Sequence, residues 1–487
     1  VENGLLGLEV SDGVQVSVAR EPDQLPHRCL IRRSFLTQPR RWNRREFMMA
    51  TGAAACLGAM GSRAQETPDY IVTIDACTVE ASPKHVVRTV GYNGQVPGPL
   101  LRLREGRTST IRVVNRTRSE EIVHWHGLHL PPAIDGAMEE GTPMLAPGAT
   151  VQFQMTPQPA GFRWYHTHTF AGNDLRKAQY SGQHGFLYVE SANEPGKYDA
   201  EHFLALHDWN GYLTGGDDGS MNPTYDISTV NGRMLGYGEP IRVKQGQRVL
   251  FHILNSSPTE VHWVALAGHT FHVIALDGNP VATPSSAAML RLAPAERVSA
   301  WVEMNHPGVW VLGEVRKHIQ ASGMGAVIEY AGSSKKPAWL QPAALAWDYA
   351  QFGTADADAA IASYVEEIPL ILESRFKGHG AQERWMINGK SYPDTDMPVL
   401  VQGRRYRLRF QNKSMDDHPM HLHRHTFELR ELAGGKRTRG VMKDTVLVPA
   451  GAETAVEFTA SNPGLSLLHC HQQNHMDMGF MMVFRYA

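Results

Sequence analysis

The apolar positions of this chain fall in short runs of β-branched residues, with almost no long stretch of helical period. Ile71-Val72-Thr73-Ile74, Val86-Val87-Arg88-Thr89-Val90 and Thr110-Ile111-Arg112-Val113-Val114 are separated by Gly, Pro and Asn. Such runs predict short strands joined by turns. A weak threefold repeat underlies them. Glu105-Gly106, Gln245-Gly246 and Gln402-Gly403 each precede a β-forming run that ends in asparagine, at Asn115, Asn255 and Asn412. The pattern predicts an all-β chain of three β-sandwiches, over 65–191, 199–331 and 365–487. The Ala- and Pro-containing stretch 332–364 reads as a linker with room for a short helix.

Composition narrows this picture. The 487 residues are 42% hydrophobic, enough for several cores, and carry a formal net charge of -2. That balance points to no nucleic-acid partner, and no apolar run is long enough for a transmembrane segment. Residues 1–64 read as an N-terminal extension. In it Arg44-Arg45-Glu46-Phe47-Met48-Met49, a small apolar run from Ala50 to Gly61, and Ser62-Arg63-Ala64 resemble a twin-arginine signal. The expectation is a periplasmic or secreted protein, passed folded through the twin-arginine export machinery. Of four cysteines, Cys29 and Cys56 lie in this extension, leaving Cys77 and Cys470.

The chemistry is concentrated in histidine. His124-Trp125-His126, His166-Thr167-His168, His418-Pro419-Met420-His421-Leu422-His423 and His469-Cys470-His471 with His475 are far more than packing requires. On a strand, residues i and i+2 point to one face, about 6–7 Å apart, so each pair can reach adjacent metal ions. The pairs 124/126, 166/168, 421/423 and 469/471 can surround one small cluster. Cys470, between two of these histidines, faces the other way, where His418 and His475 are free to join it. A thiolate with two imidazoles suits copper in an electron-transfer site. Zinc, which has no redox chemistry, gives no reason for a His-Cys-His bridge between sites.

With their order and spacing, the four motifs resemble those of the multicopper oxidases, specifically the three-domain laccase-like group. The resemblance covers the chain from about residue 70. It implies three cupredoxin-like Greek-key domains and four copper ions. By that resemblance the type 1 copper takes His418, Cys470 and His475, and the type 2 copper takes His124 and His421. The two type 3 coppers take His126, His166 and His471, and His168, His423 and His469. Phe480 stands ten residues past the cysteine, where many members of the family carry an axial methionine. Phe cannot coordinate, so a raised copper potential is expected. Asp135 matches an acid that assists proton delivery near the type 2 copper, against its plainer reading as an Asp-Gly turn.

The activity this implies is one-electron oxidation of a donor, with electrons passing through Cys470 to His469 and His471, and four-electron reduction of dioxygen to water. Phenols and aromatic amines are the expected donors, approaching the edge of His475 or His418. Cu(I) is the alternative, through thioethers among Met415, Met420, Met476, Met478, Met481 and Met482. Trp125 and Trp164-Tyr165 are expected to pack around the cluster. Arg384-Trp385-Met386 and Gly378-His379-Gly380 are candidates for the donor pocket.

Overall fold

The computed structural model describes residues 6–10, 14–19, 67–192, 196–215, 221–342, 346–354, 365–375 and 384–487. The twin-arginine segment and the loop Gly378-His379-Gly380 lie outside them. The described strands form six sheets in three pairs, and Greek-key crossovers order them.

Alternation builds each sandwich. In the first, Val72 and Ile74, Ile111 and Val113, and Val151 and Phe153 point inward from one sheet. Leu101 and Leu103, with Leu187 and Val189, meet them from the other. Residues two apart share a face, and each such aliphatic side chain contributes about 1.5–3 kcal/mol when fully buried. The topology then recurs. The opening strands Tyr70–Ser82, Ala200–Gly215 and Val365–Arg375 each pair in parallel with the strand that ends in the repeated asparagine.

Those asparagines have a structural purpose. The amide of Asn115 donates to the carbonyls of Ser119 and Leu145. Asn255 donates to Glu260 and Leu292. Asn412 donates to Asp416 and Val448. In all three the side-chain oxygen accepts from the backbone two residues on. A buried amide thus satisfies otherwise unpaired backbone groups where the strand leaves the sheet. The preceding turn also recurs: Gly106, Gly246 and Gly403 have φ of 70°, 84° and 82°, the left-handed region that glycine enters without strain.

One feature differs from the sequence reading. Within the N-terminal extension, Leu6–Val10 and Val14–Ala19 form a hairpin that adds to Thr150–Met155, where the first sheet would otherwise end in an open edge. In the linker the described residues form a 3-10 turn, Tyr349–Phe352, opened by the Asp348 carboxylate on the Ala350 N–H. Tyr349 and Phe352 are buried and pin this turn to the body of the protein.

Two short sheets position the histidines. In the first domain His124 lies opposite His166, from strands Val123–His124 and Gly161–Thr167. In the last domain His421 lies opposite His469, from strands His418–Leu422 and Ser466–Cys470.

Candidate metal centre

The second histidine of every pair falls just past its strand end: His126, His168, His423 and His471. Ring centroids within the pairs are still 5.4, 6.2, 4.8 and 5.4 Å apart. The pairs 166/168, 421/423 and 469/471 are divided between different groups, as the spacing allows, while His124 and His126 also share one with His421. His126, His166 and His471 converge, and so do His168, His423 and His469. His124 and His421 meet beside His126. Cys470 joins His418 and His475, its Sγ 3.8 and 3.6 Å from their Nδ1 atoms. In each group the potential ligand atoms lie within 4.8 Å of one another, and no member is more than 3% exposed.

Hydrogen bonds choose which nitrogen faces inward. Nδ1 of His124 donates to the Asp135 carbonyl (2.9 Å), that of His421 to Asp444 (2.8 Å), that of His166 to Thr167 (2.8 Å) and that of His469 to Cys470 (2.9 Å). Nδ1 of His423 donates to the Asp135 carboxylate at 2.9 Å. A carbonyl only accepts, so the ring proton sits on Nδ1 and the Nε2 lone pair turns inward. His126 is reversed: its Nε2 is held by Asp444 Oδ1 at 3.1 Å, leaving Nδ1 inward. His418 is also reversed, with Nε2 on the Ser414 hydroxyl at 2.7 Å.

These anchors test whether the site suits a metal. Nε2 of His423 and Nε2 of His469 are 3.1 Å apart, and each ring has its proton on the far nitrogen. Two lone pairs facing each other repel unless a cation lies between them. Nε2 of His124, Nε2 of His421 and both ring nitrogens of His471 are buried without any partner. Burial pushes eight of the histidines, His126, His166, His168, His421, His423, His469, His471 and His475, well below 6.5, and His418 down to about 3. They are neutral donors at neutral pH. Burial pushes the Cys470 thiol up, so only a bound cation would ionise it there. The residues fit soft and borderline transition-metal ions.

Asp135 touches two groups at once: its Oδ2 is 2.9 Å from Nδ1 of His423 and 3.1 Å from Nδ1 of His124. It also closes the expected turn, with Gly136 at φ 99°. Phe480 rather than Met481 faces the type 1 candidates, its ring 4.8 Å from that of His418, while Met481 packs with Leu467 and Val483. Trp164 stacks on His166 at 4.1 Å. Trp125 and Tyr165 do not pack on the cluster as expected. They pack on each other and on Phe153 and Tyr92, inside the first sandwich; for Tyr165, on the strand Gly161–Thr167, this follows because neighbours on a strand point to opposite faces.

Trp385, one of the donor-pocket candidates, covers His475 at 4.0 Å. Other contacts had no motif to announce them. Ser414 and Asp444 orient His418, His126 and His421. Glu139 lies 4.0 Å from His168, and Glu140 lies 3.7 Å from His423. Burial and then the neighbouring Asp135 hold the Glu140 carboxyl well above its ordinary range. An acidic pair in Met138-Glu139-Glu140 was visible, but nothing in its spacing tied it to the histidines.

Three family profiles, each described as multicopper oxidase, match residues 73–194, 201–332 and 367–487. The chain belongs to the multicopper oxidases, copper-dependent oxidoreductases that couple oxidation of a donor to reduction of dioxygen, and it has the three cupredoxin-like domains of that family. It is 29% identical to multicopper oxidase MmcO of Mycobacterium tuberculosis strain ATCC 25618 / H37Rv, over 88% of this chain and 90% of the relative. It is 26% identical to laccase-2 of Fomitopsis schrenkii, over 89% and 92%. Among solved structures it resembles Fet3p, described as a multicopper oxidase that functions in iron import. The TM-score is 0.73 at 18% identity, covering 86% of this chain and 90% of that one. Among the described residues no helix is long and apolar enough to cross a membrane.

Proposed function

We propose that the chain is a laccase-like oxidase holding four copper ions. His418, Cys470 and His475 hold the type 1 ion, and His124 and His421 the type 2 ion. His126, His166 and His471, with His168, His423 and His469, hold the type 3 pair. The observation that carries this reading is the convergence of buried, proton-free imidazole nitrogens on common points beside a separate Cys-His-His set. Bound copper supplies one-electron redox chemistry at Cys470 and a place among the histidines where dioxygen is reduced.

The chain's own residues provide the rest. The Cys470 carbonyl accepts the His469 Nδ1–H, so the backbone and one hydrogen bond join the sulfur to the cluster. His471, the other neighbour, reaches the second group of the cluster. Asp135 fixes the tautomer of His423 with Oδ2, while Oδ1 is buried without a partner and is placed to hold a proton bound for reduced oxygen. Glu140, whose carboxyl faces that of Asp135, is a second such group. Burial of every candidate ligand excludes bulk water, which favours complete reduction over escape of partly reduced oxygen.

The donor we propose is a phenol or aromatic amine. Trp385 and Phe480 wall the type 1 set with aromatic, non-coordinating surface, which supports a high potential and outer-sphere transfer. Phe480→Met is therefore expected to lower the type 1 potential, by on the order of 60 mV, the tenfold step of a one-electron couple. Redox titration of the blue absorption checks this, and an unchanged potential would argue against Phe480 as the axial neighbour.

Cuprous oxidation is the second reading, favoured by Met415, which is 80% exposed and three residues before His418. Against it, Met420, Met476, Met481 and Met482 are buried in cores. Metal analysis should find four coppers per chain. Oxygen uptake at equal enzyme concentration should be faster with phenols than with Cu(I). Dominant Cu(I) turnover would reverse the donor assignment, and absence of bound copper would end the reading altogether. The Arg44-Arg45 segment adds that the enzyme is exported folded, to a periplasmic or external location.

A further inference from the structure

We infer that Arg297, from the ligand-free second domain, is a positioning residue for the histidine cluster, acting through Asp444. The inference rests on the copper assignment above.

Arg297 grips Asp444 with both ends of its guanidinium, Nη1 to Oδ1 at 2.7 Å and Nη2 to Oδ2 at 2.6 Å. The second domain holds the guanidinium in turn, through the carbonyls of Ala295 (3.0 Å) and Asp277 (3.1 Å). Asp444 belongs to the third domain. Its Oδ1 accepts from Nε2 of His126, a first-domain residue, and its carbonyl accepts from Nδ1 of His421. One carboxylate therefore joins all three domains at the cluster. Asp277 reinforces the junction. Its Oδ2 accepts the Asp444 and Thr445 N–H groups, and it pairs with Lys443 at 2.9 Å. Lys443 reaches Glu296 at 3.1 Å, and the linker's Tyr349 hydroxyl closes on that same carboxylate. Arg163 of the first domain donates to the Asp277 carbonyl at 2.5 Å and lies 3.6 Å from Asp444 Oδ2. All of these groups are buried.

Two observations make this positioning rather than packing. The five histidines anchored through Nδ1 are held by a carbonyl or by Asp135, whereas His126 is anchored through Nε2 by Asp444. Its inward Nδ1 lone pair depends on where that carboxylate points. A bidentate guanidinium fixes carboxylate direction, which a point-charge ammonium does not. The chain also leaves space for the grip. A Cβ at Gly127, the residue after His126, would come within 2.8 Å of Asp444 Oδ2 and 2.9 Å of Arg297 Nη2. Gly127, directly after the His124-Trp125-His126 motif, is thereby tied to this junction.

The test uses the copper-loaded full chain, with Arg297→Lys and Arg297→Gln beside wild type. Arg297→Lys keeps the charge and the fold should it happen that Arg297→Gln does not fold. The type 1 blue absorption and its paramagnetic resonance signal serve as the internal reference. Expected is an unchanged type 1 signal, a new paramagnetic signal from type 3 copper that has lost its pairing, and loss of cluster copper to a chelator about 10- to 100-fold faster, the scale for partners that orient metal ligands. Wild-type resonance and release in Arg297→Lys would overturn the inference. So would parallel loss of type 1 and cluster signals, which marks general destabilisation. A wild-type chain that loads only type 1 copper would instead defeat the ligand assignment, and the inference with it.

Discussion

Cys470→Ser is expected to abolish donor-driven oxygen uptake while leaving the histidine cluster able to bind metal. The sulfur is the member of the proposed type 1 set that faces both His418 and His475, at 3.8 and 3.6 Å. A serine hydroxyl is a hard, weakly acidic substitute, and copper with two imidazoles prefers the soft thiolate. The link from residue 470 to His469 runs through the backbone carbonyl, so the substitution leaves it in place and isolates the side chain. Activity should fall by on the order of 10⁴-fold or more, the scale seen when an obligatory catalytic group is removed. The blue absorption should vanish, copper should fall to about three per chain, and the type 2 resonance should persist. The buried hydroxyl costs about 1–3 kcal/mol if it finds no partner, so a melting curve must accompany the assay. Retention of activity near the wild-type level would show that electrons enter the cluster by another route.

Legibility followed the range of the interactions. Cys470 parts from His469 and His471 because neighbours on an extended backbone diverge, and the i, i+2 spacing lets the two histidines reach separate groups; both can be read from three letters. The repeated Gly turn and the terminal Asn were also readable, since each acts on backbone within a few dozen residues. The orientation of Trp125 was not. Its neighbours are histidines, but just past the strand Val123–His124 the chain turns it into the first core. Asp444 was hidden for a different reason. It lies 21 residues past His423, and only the antiparallel pairing of His418–Leu422 with Thr445–Val448 brings it beneath His126 and His421. Arg297 is more remote still, because its contact joins two sandwiches that no short-range pattern relates. Trp385 follows a segment outside the described residues and meets His475 only once the last sandwich is assembled.

The copper-free protein is expected to unfold in mild acid, and copper to protect it. Nine buried histidines of the proposed centre, His126, His166, His168, His418, His421, His423, His469, His471 and His475, have pKa values lowered by burial, His418 to about 3 and the rest well below 6.5. In the unfolded chain they titrate near 6.5. Below that pH the unfolded state binds more protons than the native one, so stability is present above about 6.5 and drains away as pH falls. Each group removes about 1.4 kcal/mol per pH unit until its lowered native pKa is reached. Glu121, Glu139, Glu140, Glu260, Asp277 and Asp477 act in the opposite sense, their carboxyls raised mainly by burial, that of Asp477 to about 7. These six offset only part of the loss, to which the buried His129, His184, His207 and His425, also lowered by burial, add. The net slope is enough to cancel a stability of roughly 10 kcal/mol within about two pH units. Copper binds the neutral imidazoles and the thiolate, so it stabilises the native state in proportion to its affinity and displaces the transition to lower pH. Thermal unfolding of copper-free and copper-loaded protein across pH 7.5 to 4.5 would measure both effects. A copper-free melting temperature that stays level across that range would mean the histidines accept protons in the native state, and the cluster would not then be the dry, neutral ligand set described above.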